Sequence, residues 1–233
     1  MTKLLTIKRI KKNKALSVFS IFFTVLFIFL GFWQIERAES KALKIKSFDE
    51  MQIKAPAPLS DSSFEWSRVF ADGIYDSSNQ VLIDNQINNG KVGYKVFTPF
   101  YYDDKAIFVD RGWIQRGAKR SDLPEVEFNS SRTRIIGSLL KPEKEVLAGD
   151  ELLTKTRPIV SQTKLPSIIQ KEFNKNFLDM VLVLEPGSNF LEEYIPPRPF
   201  VITPTKHYGY ALQWFTMSIV LASMFIYAIN KDQ

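Results

Sequence analysis

Two stretches without a single charged side chain bound this chain: Ala15 to Phe32 near one end and Tyr210 to Ile229 near the other. A hydrocarbon core of roughly 30 Å is crossed by about 20 apolar residues in helical form. Lipid offers no partner to a free amide or carbonyl, so the form expected there is a helix, which pairs its own backbone. The pattern predicts transmembrane helices over residues 15–33 and 207–229, with a folded insert, 34–206, between them. The sole histidine, His207, falls where that insert meets the second span.

The formal net charge of +6 is a topology signal rather than a groove for phosphates. Lys3, Lys8, Arg9, Lys11, Lys12 and Lys14 precede the first apolar stretch with no acid among them, and the remaining charges balance. Positive flanks stay in the cytoplasm. Cytoplasmic tails are therefore predicted at 1–14 and 230–233, with the insert on the opposite face of the bilayer. Nucleic acid drops out as a partner and the lipid bilayer enters. A cleaved leader has an apolar region of about 7–15 residues followed by a small-residue site. Here the run is longer and ends in Gly31-Phe32-Trp33-Gln34, so it reads as an anchor. Trp33 and Trp214 suit interfacial depth, where an amphipathic ring is stable. There is no cysteine, which excludes disulfides, thiolate nucleophiles and cysteine metal sites.

The insert reads as β-rich. Residues Trp33 to Lys46 extend the first helix and place Trp33, Gln34, Arg37 and Lys41 within a quarter-turn arc. Strands are predicted over Trp66 to Asp72, Gln80 to Gln86, Val92 to Tyr102, Ala106 to Arg111, Thr133 to Leu140 and Met180 to Glu185. Asn88-Asn89-Gly90 and Asp103-Asp104 mark reversals. One internal helix is expected over Leu165 to Asn176, opened by Pro166. Pro186, Pro196, Pro197, Pro199 and Pro204 make residues 186–206 a stiff, extended strap. The fold class is α+β: two transmembrane helices flank a compact β-rich extracytoplasmic domain, barrel-like or a curved sheet, with one short helix.

Few side chains point to chemistry. On a helix, His207, Tyr210, Ala211 and Trp214 share one stripe. A neutral imidazole there can ligate haem iron, or can simply be hydrogen-bonded at the interface; the residues leave both readings open. Gln34 and Gln213 are amides at membrane depth, suited to helix–helix bonds or to docking a partner. Arg111, in Asp110-Arg111-Gly112-Trp113, either forks to a carboxylate or carbonyls, or meets an anion such as a propionate. A Ser-His-Asp set would have to use His207 beside lipid, and no metal-ligand spacing or phosphate-cradling glycine loop is present. The chain reads as a non-enzyme.

Four blocks resemble the Surfeit-locus-one family: Gly31-x-Trp33-Gln34-x-x-Arg37-x-x-x-Lys41, Gly93-Tyr94-x-Val96-x-Thr98-Pro99, Val109-Asp110-Arg111-Gly112-Trp113, and His207-x-x-Tyr210-Ala211-x-Gln213-Trp214-Phe215. They occur in the family's order across nearly the whole chain. Asp110 stands where family members often have Asn. The resemblance implies an assembly factor for haem–copper terminal oxidases, cytochrome c oxidase in particular, that binds haem A and aids its insertion into the catalytic subunit. The alternative is a structural membrane chaperone that stabilises an oxidase assembly intermediate without touching haem. Implied partners are the oxidase catalytic subunit and the haem A synthesis machinery. Implied haem-binding residues are His207, as iron ligand, with Tyr210, Trp214, Arg37 and Arg111. Docking to a partner falls to Gln34, Gln213, Trp33 and Lys41. The short basic flank, with more Lys than Arg, favours a bacterial plasma (inner) membrane, with the central domain periplasmic, over a mitochondrial inner membrane.

Overall fold

The computed structural model describes residues 14–126, 128, 131–143, 152–187, 192–198 and 202–231. The basic flank before Lys14, Pro199 of the strap and the last two residues lie outside that set. The chain divides into two units. One contains the terminal helices, within Met1–Ser47 and Arg198–Gln233; the other is the β domain, Phe48–Pro197.

The long helix α1 spans Lys14–Gln52 and the C-terminal helix α3 spans Pro204–Lys231. Both are long and apolar enough to cross a membrane. Their outward faces leave large apolar side chains uncovered, among them Phe19, Phe22, Val25 and Phe29 on α1 and Leu212, Ile219 and Ile226 on α3. Such continuous apolar surface is tolerated in lipid and is an aggregation hazard in water.

Among the described residues the β domain has eight strands: β1 (Ala57–Pro58), β2 (Arg68–Tyr75), β3 (Val81–Asn88), β4 (Lys91–Tyr102), β5 (Lys105–Gln115), β6 (Thr133–Leu140), β7 (Ile159–Ser161) and β8 (Phe177–Leu184). They form one sheet in the order β1-β2-β6-β8-β5-β4-β3-β7. A further pairing of β2 with β4 closes β2, β6, β8, β5 and β4 into a five-stranded barrel. The long β4 makes closure possible. One of its edges runs along β5, while the other is shared: β3 takes Lys91 to Phe97 and β2 takes Phe100 and Tyr101.

Alternation along the strands sorts the side chains into layers. Ile107 and Val109 of β5 point into the barrel with Val69, Phe100, Ile135, Leu139 and Leu182. Ala106 and Phe108 point the other way, into a second core with Val81, Ile83, Phe97, Ile159 and Ile169. Phe108 stacks on Phe177 at 4.0 Å and meets Phe173 edge-on at 5.6 Å. The strand is therefore buried on both faces from Ala106 to Trp113, which explains its nearly continuous apolar run.

Closure depends on Gly73. A Cβ at this position would run into the carbonyl of Tyr101 and the ring of Phe100. We expect Gly73→Val to part β2 from β4 and to destabilise the domain by more than about 3 kcal/mol. Denaturant unfolding of the purified chain, followed by tryptophan fluorescence, measures this.

The predicted strands are all present with shifted ends, and Thr133–Leu140 coincides with its prediction. Asn89 (φ 48°) and Gly90 (φ 77°) take the two left-handed positions of the β3–β4 turn, and Asp103 (φ 45°) helps turn β4 into β5. The internal helix is shorter than expected: a single α-turn, α2 (Pro166–Ile169), continued by a 3-10 turn over Gln170–Glu172. Asn174 and Asn176 are weak helix formers. Phe173 becomes extended so that its ring reaches Phe108 and Phe177. Strands β1 and β7 were not foreseen, because two or three residues are too few to display a period.

Candidate functional site

The helix unit holds the histidine. In α1 the residues Ser17, Ser20, Thr24, Phe27, Gly31, Gln34, Ala38 and Lys41 recur at alternating spacings of three and four, the period of a coiled-coil seam. Ser17, Ser20, Gly31 and Ala38 are buried along it. On α3 the matching seam runs through His207, Ala211, Trp214 and Ser218, of which His207, Ala211 and Ser218 are buried. Three contacts show that the helices pair antiparallel. The Ser218 hydroxyl donates to the Thr24 carbonyl at 3.3 Å, Gln34 meets His207, and the Lys41 ammonium donates to the Ile202 carbonyl at 3.2 Å. Small side chains let the backbones approach, which is how helices associate where no hydrophobic drive exists. At Gly31 there is no room for a side chain: a Cβ there would lie 2.6 Å from the Phe215 ring.

His207 sits at one end of this seam, 9% exposed. Its Nδ1 lies 2.7 Å from Gln34 Oε1. Its Nε2 is buried and meets no hydrogen-bonding group among the described residues. The Tyr210 ring stands edge-on to the imidazole at 6.4 Å. The charges of Arg37 and Lys41 both act on the ring. Arg37 lies over the Trp33 ring at 5.6 Å, and Trp214 leans on Phe27 at 5.5 Å. The helix pair thus sets Gln34 and Tyr210 against His207, with Arg37 and Lys41 on the same stretch of α1. Trp33 and Gln213 are on exposed faces, with Trp33 41% exposed. The sequence reading missed Ala38 and the small-residue seam; the three–four spacing of Ser, Thr, Gly and Ala within the apolar run was the available signal.

Arg111 belongs to the β domain. Its side chain is buried on β5, where Nη2 donates to Glu192 at 3.3 Å, Nη1 donates to the Val126 carbonyl at 3.4 Å, and the guanidinium covers the Phe128 ring at 4.3 Å. Burial pushes its pKa down, opposed by the Glu192 carboxylate. The residues around it clasp the start of the strap. Glu192 N donates to Arg111 O (2.7 Å), Trp113 N to Glu193 O (2.7 Å), and Glu193 N to Trp113 O (3.1 Å). Gly112 turns beside this ladder at φ 103°, and a Cβ there would lie 2.6 Å from Glu193 O. Only glycine tolerates both conditions.

Asp110 has two partners. Its Oδ1 accepts from Gly112 N at 3.0 Å, and its Oδ2 pairs with the Lys95 ammonium at 2.5 Å. Asn can keep the first bond, and Lys95 is exposed enough to find water. We expect Asp110→Asn to cost about 1 kcal/mol, and Asp110→Ala, which also leaves the buried Gly112 N–H without its acceptor, about 3 kcal/mol. Thermal unfolding of the two variants measures the difference.

Among the described residues no group of three or more His, Asp or Glu side chains converges to hold a metal ion. A cleft of about 890 Å³ lies in the β domain between Asp84, Arg120, Val160 and Lys171; Tyr94 of the Gly93-Tyr94 block lines it, but none of the candidate haem-binding or docking residues does.

The SURF1 family model matches residues 21–219. The chain is 26% identical over 221 residues to a SURF1-like protein of Rickettsia felis, covering 88% of this chain and 92% of that one. A SURF1-like protein of Rickettsia conorii is 24% identical, over 88% and 87% of the two chains. The cytochrome oxidase assembly protein SHY1 of Saccharomyces cerevisiae is 28% identical over 99 residues, 39% of this chain but only a quarter of the yeast protein's length. A model that reaches into both terminal helices and covers the β domain between them, together with relatives matched nearly end to end, places this chain in the SURF1 family.

Proposed function

We propose that this protein is a membrane-bound assembly factor for cytochrome oxidase that holds haem A on its helix pair and passes it to the oxidase catalytic subunit, without itself catalysing a reaction. Family membership and the yeast relative named for oxidase assembly support the assembly role. The single observation that carries the haem reading is the His207 ring, buried between two apolar helices with one nitrogen engaged and the other facing no hydrogen-bonding group among the described residues.

Bound haem A supplies an iron that takes an axial nitrogen and a pair of propionates that take cations. The donor set fits. His207 offers the nitrogen; Arg37 and Lys41, whose charges reach the ring, suit the propionates; Tyr210 and Trp214 offer aromatic surface. Because Nε2 is covered, a ligand reaches it only when the helix pair parts locally around His207. One protein ligand, behind a seam that opens and closes, suits a carrier that must release its cargo. In this reading the helices cross a bacterial inner membrane with both termini cytoplasmic and the β domain periplasmic; the yeast relative keeps a mitochondrial inner membrane as the alternative.

A second reading is favoured by the same burial. The Gln34–His207 bond closes the seam, and the protein then acts as a structural partner of an oxidase intermediate, docking through Gln213 and Trp33 on its exposed faces. The absorbance spectrum of the detergent-purified chain, co-expressed with haem A synthesis, separates the two. Pigment that stays with the protein supports the carrier. Co-purified oxidase subunit without pigment supports the structural partner.

A further inference from the structure

We propose that Gln34 is a positioning residue for His207: its amide oxygen holds the ring proton on Nδ1 and so leaves the lone pair on Nε2, the form of imidazole that binds a haem iron. The last clause rests on the haem reading above; the assignment of the proton does not.

Three observations carry it. The amide is turned oxygen-first, with Oε1 2.7 Å from Nδ1. An amide oxygen only accepts, so the nitrogen facing it donates. The partners meet inside the seam, beside Ala38 and Ala211, which are almost fully buried. A hydrogen bond is stronger there than in water, and an unpaired donor costs more. Finally, Nε2 is buried with no hydrogen-bonding group opposite it among the described residues. A proton on Nε2 would be a buried N–H without an acceptor, the rarer and costlier kind of orphan. A lone pair at the same place is the lesser penalty.

The seam explains why glutamine stands at this point. Gln34 follows Gly31 by three residues and precedes Ala38 by four, so it lies on the contact line with small neighbours on either side. Its side chain is long enough to cross to α3, and it carries no charge into lipid. In metal sites the nitrogen opposite the ligating one is oriented in the same way by an acceptor, which sets the tautomer and the ring angle. Gln34 is thus assigned to the ligand rather than to a partner protein.

Because His207 is the sole histidine, 15N-histidine labelling of the full chain puts the label in one ring. In lipid nanodiscs without haem, we expect the nitrogen spectrum to show a protonated Nδ1 and a bare Nε2. Gln34→Met, which keeps the length and removes the acceptor, is expected to shift the proton to Nε2, the site that imidazole prefers in water. A parent ring protonated on Nε2, or a ring unchanged by Gln34→Met, overturns the proposal. The parent spectrum decides alone if the variant fails to insert.

Titration with haemin supplies the second readout. Gln34→Met is expected to weaken binding about 10–100-fold. Haemin bound equally by parent and Gln34→Met overturns the positioning role and leaves the haem reading standing. If the parent shows the expected tautomer but takes up no haemin, the haem reading fails while the assignment of the proton holds.

Discussion

Replacing His207 by alanine is expected to remove haem from the purified protein while leaving the β domain folded. The ring is the sole imidazole in a chain without cysteine, so no second imidazole or thiolate can take its place on an iron. We expect haem per protein to fall by more than about tenfold. The substitution also leaves the Gln34 amide buried without its partner, at about 1–3 kcal/mol, a cost borne by the helix pair. Two readouts separate these effects: the Soret absorbance follows haem, and the unfolding of the β domain follows its own core. Haem retained at the parent level in His207→Ala, with the protein intact, would remove the site.

The second large effect is expected at Gly31. A Cβ added there would lie 2.6 Å from the Phe215 ring, which is itself held edge-on against Phe32 at 5.4 Å. Alanine displaces that ring; leucine has no room while the helices stay in contact. Overpacking of this kind costs about 1–3 kcal/mol. The chain contains no cysteine, so a pair introduced by Thr24→Cys and Ser218→Cys reports the seam without background. The Ser218 hydroxyl reaches the Thr24 carbonyl in the parent, which puts the two positions side by side. A disulfide should form readily in the parent, and about tenfold less in Gly31→Leu. Equal yields would mean that the helices do not meet through Gly31.

Much of the architecture was legible because it follows from local rules. Two charge-free runs of bilayer length marked the helices, and β-branched and aromatic residues between turn signals marked six strands. Asn89 and Gly90 adopt the positive φ that made their turn readable. A barrel-like sheet was among the forms expected, but the pairing that closes it was not legible: Ile74 and Tyr75 against Tyr101 and Phe100, a contact distant in the chain and only two residues wide. The short helix was overextended because Phe173 continues the helical spacing of Ile169, while in the fold its ring is drawn into the core.

At the site, the stripe His207, Tyr210, Ala211 and Trp214 and the arc Gln34, Arg37 and Lys41 were visible from helical spacing alone. That Gln34 faces His207 was not. Either glutamine could have crossed to the other helix, and only the register of the seam chooses Gln34 over Gln213. Arg111 illustrates the opposite limit. Its block was readable as an anion site or as a structural fork, and its partners Val126, Phe128 and Glu192 come from segments that no spacing rule connects to β5.

The central claim is that this chain serves cytochrome oxidase assembly, and the amount of assembled oxidase in membranes lacking the chain tests it most directly. The haem a band of such membranes, read by difference spectroscopy, should fall severalfold and return when the parent gene is restored, with His207→Ala restoring less. An undiminished haem a band in the absence of the chain would contradict the account.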